Sequence, residues 1–188
     1  LICAAATVIP ALLPGPAAAP QSMAGVPDMS VPTAREAYVP AVELIRQTDP
    51  AAELASSAGA WTPTFSAADL EAGRTGWTIH FYLPSTREMA TVVVDRGNTA
   101  RLAGRSAWQT PPDLLPDAQW RADSPQVVAL LLDNCRETVQ SVPDVKVEVR
   151  LSTAAHNRTM LWHARVESEE DPLAACEVTV DGITGLIR

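Results

Sequence analysis

The sequence predicts an α+β fold built as two tandem helix-plus-antiparallel-sheet modules, and three patterns predict it. One stretch in the C-terminal half carries apolar residues at helical spacing. Three runs after it alternate apolar and polar residues, the period of a half-buried strand. The same order, helix then strands, recurs more loosely in the N-terminal half. An apolar stripe on a helix and one apolar face per strand make two layers, a helix lying across a sheet. The 188 residues leave room for two small units. Units of about 60–80 residues bury only about 60% of their unfolded surface, so the halves are expected to pack together or carry a covalent brace.

The first segment, residues 1–19, contains no charge. An apolar run of about a dozen residues is followed by helix breakers and the small residues Ala17, Ala18 and Ala19, the pattern of an export signal. Uncleaved, it would serve as a membrane anchor, although Pro10, Pro14 and Pro16 shorten the helical run below the ~20 residues that span a bilayer. Residues 20–32 carry proline, methionine and serine without hydrophobic period and read as a tether.

Residues 33–102 form the first expected module. Thr33 caps a helix over 34–48, with Tyr38, Val42 and Ile45 on one stripe and Pro40 near its first turn. Trp61 and Phe65 lie in a weak strand interrupted by Pro63. Trp77, Ile79, Phe81 and Leu83 alternate with Thr78, His80 and Tyr82, and 89–94 makes a last strand closed by Asp95. Residues 103–122 read as a linker whose Trp108 and Trp120 are expected to pack into the seam between the halves.

The second module, 123–188, is the clearer one. Ser124 caps and Pro125 takes the first helical position. Val128, Leu131, Leu132, Cys135 and Val139 then share one stripe until Pro143 stops the helix. Residues 145–151 alternate strictly. Met160, Trp162, Ala164 and Val166 share a face, as do Cys176, Val178 and Val180, while Glu177, Thr179 and Asp181 point the other way.

The two strand pairs correspond. Trp77 leads one and Trp162 the other, each pair ends at an aspartate (Asp95 and Asp181), and the Trp-to-Asp separations differ by a single residue. Such a recurrence argues for two copies of one supersecondary unit. The helix, the strands and the closing turn with Val178, Val180, Asp181, Thr184 and Gly185 resemble the PepSY domain, a small bacterial envelope and secreted-protein module. The resemblance covers 124–188 well and 34–102 faintly, since Ala100 stands where the second glycine would be. It implies a PepSY/cystatin-like fold, a non-catalytic role and restraint of a secreted peptidase.

Cys135 and Cys176 carry the sharpest chemical expectation. With residues 1–19 removed they are the only cysteines, and exported thiols oxidise. Helical period and strand parity bring both sulfurs to one interface, so a disulfide is expected to pin helix to sheet. His80 and His163 fall on the outer parity of their strands, and His156 lies seven residues before His163, so no tetrahedral metal set is expected. Glu167, Glu169, Glu170 and Asp171 read as a solvated hairpin tip, and Asn157-Arg158-Thr159 is a formal glycosylation sequon. The sequence contains no nucleophile elbow, phosphate-cradling glycine loop or His-Glu-x-x-His.

The expected function is therefore a non-catalytic, exported protein-binding module, in the periplasm, at the cell surface or outside the cell, with no cofactor. The partner is expected to be a protein or peptide, which an exposed sheet edge could take up by main-chain hydrogen bonds. The alternative is a structural or accessory subunit of an envelope assembly, held to the membrane through residues 1–19. A net charge of −8 repels phosphate backbones and disfavours nucleic acid.

Overall fold

A computed structural model describes residues 31–63, 65–141, 144–154, 159–168 and 175–188. The expectations for residues 1–19, for most of 20–32, and for His156, Asn157 and the tip residues Glu169, Glu170 and Asp171 lie outside the described residues.

Helix α1 (Ala34–Arg46) starts where Thr33 and Glu36 form a capping box. The Thr33 hydroxyl accepts from the Glu36 amide (3.3 Å), and the Glu36 carboxylate accepts from the Thr33 amide (2.9 Å). Its buried stripe is Ala34, Ala37, Ala41, Val42 and Ile45. The alanines let the helix lie close against the sheet, while Tyr38 is only half-buried.

Seven strands follow: β1 (Glu53–Trp61), β2 (Trp77–Leu83), β3 (Glu88–Val94), β4 (Ala100–Ala107), β5 (Val145–Thr153), β6 (Met160–Ser168) and β7 (Cys176–Asp181). They form one antiparallel sheet in the order β4-β3-β2-β1-β5-β6-β7. The pairing of β1 with β5 joins the strands of the two halves of the chain. Between the strands stand the short α2 (Ala67–Glu71), then α3 (Ser124–Asn134) and α4 (Arg136–Ser141). The inward residues of the strands and of α1 and α3 belong to a single buried cluster, which places the core on one face of the sheet.

Aromatic rings run through the middle of that core. Trp61 meets Trp77, Trp77 meets Trp162, Trp162 meets Trp120 and Trp120 meets Tyr38, with centroids 5.7–6.3 Å apart. A buried indole needs a partner for its N–H. Trp61 donates to the Arg74 carbonyl, Trp77 to that of Pro32, and Trp120 and Trp162 both to that of Ala122.

Several elements differ from the sequence expectation, each for a physical reason. The weak strand around Trp61 and Phe65 is instead the end of β1, whose main part precedes Trp61. A bulge between Leu54 and Ser56 shifts its parity, so Leu54, Ser57, Gly59 and Trp61 face inward without simple alternation. Strand β4 runs to Ala107, beyond the expected boundary at 102 and into the expected linker. The helix expected to run from 124 to Pro143 breaks at Cys135, whose φ of −106° is not helical. Asp123 is the cap of α3, accepting from the Ser124 amide at 2.7 Å. Ser124 is fully buried, donating to the Gly73 carbonyl (2.7 Å) and accepting from the Ala34 amide (3.0 Å). The end of the expected tether is built in, since Val31 is buried and the Pro32 carbonyl also accepts from the Thr75 amide. Trp120 packs into the core as expected, but Trp108 is 44% exposed and lies on the other face of the sheet.

Candidate functional site

Cys135 and Cys176 form the disulfide, with Cα atoms 5.8 Å apart. The bond ties the junction of α3 and α4 to the first residue of β7. Cys135 is buried and Cys176 half-buried against the core, so the sulfurs serve as a brace.

The motif residues occupy equivalent register positions. Trp77 is paired with Val94, the residue before Asp95, and Trp162 is paired with Val180, the residue before Asp181. Both tryptophans are fully buried, as is Val180, and Val178 is nearly so. Trp77 opens β2, whereas Trp162 is the third residue of β6.

The two aspartates diverge. Asp95 is exposed. Asp181, which strand parity places on the outer face, is buried because its carboxylate turns into the closing loop. It accepts from the amides of Ile183 and Thr184 (2.9 Å each) and from the Arg188 guanidinium. The Thr184 amide first, then Arg188 and the Ile183 amide, hold its pKa down at about 2. Thr184 is itself exposed, and its hydroxyl accepts weakly from the Leu186 amide (3.4 Å). Gly185 has φ +72°, and a Cβ there would lie 2.2 Å from Gln126 Nε2, so the turn against α3 requires glycine.

The helices cover one face of the sheet and leave the other open. Small side chains floor its middle: Ala55, Ser56 and Ala58 on β1, Thr78 on β2 and Thr91 on β3. The segment after β4 walls one end. It leaves the edge with the Trp108 amide bonded to the Arg87 carbonyl, its Asp113 carbonyl accepts from the Thr153 hydroxyl on β5, and the Leu115 amide reaches the Leu54 carbonyl on β1. The cleft, open to solvent, measures about 440 Å³, with Ser56, His80, Met89, Trp108, Asp113 and Arg150 in its lining. Cavities of roughly 300–1,000 Å³ are the usual size for small-ligand sites.

His80 lies on the outer parity, as its strand pattern predicts, but it is half-buried. Its Nδ1 lies 3.0 Å from Ser56 Oγ. Burial first, and then the charge of Arg150, push its pKa below the ordinary histidine value. His163 is exposed on the same face.

The sheet has two unlike edges. Beyond β7, residues 186–188 return: Val180 bridges Ile187, the Asp181 amide bonds the Leu186 carbonyl, and the Arg188 amide bonds the Thr179 carbonyl. Beyond β4, no strand pairs among the described residues, and seven of its eight residues are exposed.

Among the described residues, no three His, Cys, Asp or Glu side chains gather as a metal set, and no helix is long and apolar enough to cross a membrane. Comparisons with protein-family models, with curated proteins and with solved structures return no significant match.

Proposed function

We propose that this chain is a non-catalytic, exported binding module that takes up an extended segment of a partner protein along β4. The β4 edge, which pairs with no further strand among the described residues, carries this reading. An eight-residue edge strand offers a row of main-chain donors and acceptors to an added strand, while the opposite edge is occupied by Leu186–Arg188. Leu102, 42% exposed, and the exposed Arg101 supply side-chain contacts beside that ladder. The disulfide suits an oxidising compartment and hence export.

In the same reading the chain is two PepSY-like copies joined by β1 and β5. Support comes from the order helix-then-strands in each half, from the matched Trp77/Val94 and Trp162/Val180 pairs, and from the position of β1 beside β5 at the centre. Occupying an extended stretch of a peptidase is the form of restraint such a module would exert.

The test is selection of linear peptides from a random library, followed by hydrogen exchange on the complex. The expected result is protection confined to the amides of Ala100–Ala107 and their neighbours in β3. A selected peptide that protects another surface and leaves β4 unchanged would contradict the proposal.

A further inference from the structure

The cleft on the open face holds a charge arrangement that strand addition at β4 does not use. Gly104, Thr91, His80 and Ser56 lie side by side across four strands. Arg150 stands on the next row, opposite Ala58, and lines the same cavity as His80. Arg150 takes part in no ion pair among the described residues. Its nearest sequence neighbour of opposite charge on that face, Glu148, is paired with Lys146 instead. Trp108 and Met89 supply apolar surface in the same cavity.

We propose that this cleft binds a small aromatic monocarboxylate, with the carboxylate on Arg150 and the ring against Trp108. The guanidinium fork matches a carboxylate in geometry as well as charge. It is set where small side chains leave space. Asp113, exposed in the cleft lining, repels a second negative charge and favours a monoanion. Catalytic use of the Ser56–His80 pair lacks its third member, because no carboxylate among the described residues bonds the imidazole. Besides His80, the titratable and charged groups lining the cleft among the described residues are Arg150 from β5 and Asp113 from the crossing segment; β3 and β4 contribute Met89, Thr91 and Ser106.

The experiment titrates the full chain with phenylacetate, with phenylacetamide and with the tripeptide acid Ac-Ala-Ala-Phe. It follows tryptophan emission and the His80 ring signals by NMR. Trp61, Trp77, Trp120 and Trp162 are buried, so an emission change on binding reports Trp108. Phenylacetate is expected to bind saturably and the neutral amide about tenfold more weakly, the size of one charge-assisted hydrogen bond. On saturation the His80 ring signals shift, because the ligand fills the cavity that His80 lines. Arg150→Gln, at an exposed position, abolishes both responses while leaving the thermal melt unchanged. Trp108→Phe removes the emission change but keeps the His80 shift.

Equal binding of acid and amide, an unmoved His80, or an Arg150→Gln protein that binds like the parent would overturn the proposal. So would tripeptide binding more than tenfold tighter than phenylacetate, which would assign the cleft to a chain end. A failure at β4 leaves these outcomes untouched, since the two surfaces share no tested residue.

Discussion

The Asp181 carboxylate collects two loop amides and the Arg188 guanidinium, and with them the whole closing turn after β7. Its folded pKa of about 2 lies below the usual 3.8, so its contribution to stability is present above pH 4 and is lost as pH falls from about 4 to 2. Asp49 acts in the same direction, its pKa lowered chiefly by the Ser85 hydroxyl at 2.5 Å. Asp181→Asn is expected to cost about 2 kcal/mol at neutral pH, the scale of hydrogen bonds to a charged group. Urea midpoints measured from pH 7 to pH 2.5 check this, because the variant should also show a shallower acid decline than the parent. A second single-residue prediction concerns Gly59. A Cβ there would sit 2.9 Å from Trp77 Cζ3 and 2.7 Å from Thr75 Cγ2, so Gly59→Val is expected to lose about 1–3 kcal/mol by overpacking. An unchanged urea midpoint would mean that β1 does not approach Trp77 this closely.

At the scale of elements, the disulfide fastens β7 to the α3–α4 junction across a sequence separation of 41 residues. A loop of that size raises the entropy cost of folding once opened, by about 4 kcal/mol on the chain-entropy estimate. Cys135→Ser with Cys176→Ser is therefore expected to lower unfolding free energy by roughly 2–5 kcal/mol, read from equilibrium denaturation. Elements with strict alternation, such as β5 and β7, are legible in the sequence because one face meets the core and the other meets water. Strand β1 is not, because Ser57 and Gly59 stand inward where a large apolar residue would signal a strand, and the bulge breaks the period. Strand β4 is illegible for another reason: it is exposed nearly throughout, so burial imposes no pattern on its residues. The cleft is the least legible feature. His80 declares its outer parity, but nothing local marks Ser56, Asp113 or Arg150 as its neighbours, and Trp108 reads as a seam residue. Ser56 comes beside His80 through β1 pairing with β2, Asp113 through the crossing segment, and Arg150 through β1 pairing with β5, a contact between residues roughly ninety positions apart.

For the whole molecule, the two described halves share one sheet and one buried cluster, with α1 and α3 packed on one face. The N-termini of α1 and α3 also meet, since Asp123 and Ser124 accept from the amides of Arg35 and Ala34. A shared core of this kind predicts a single cooperative unfolding transition, with near-ultraviolet and far-ultraviolet signals coinciding. Two separated transitions would mean that the halves fold apart. The β1–β5 seam is the contact that joins the two halves into one sheet and brings Arg150 to the cleft. Interstrand NOEs in solution test it most directly. The account predicts backbone NOEs linking Ser57–Trp61 to Leu151–Val147 in antiparallel order, with slowly exchanging amides along both strands. Rapidly exchanging amides on β1 and β5, with no NOE between them, would contradict it.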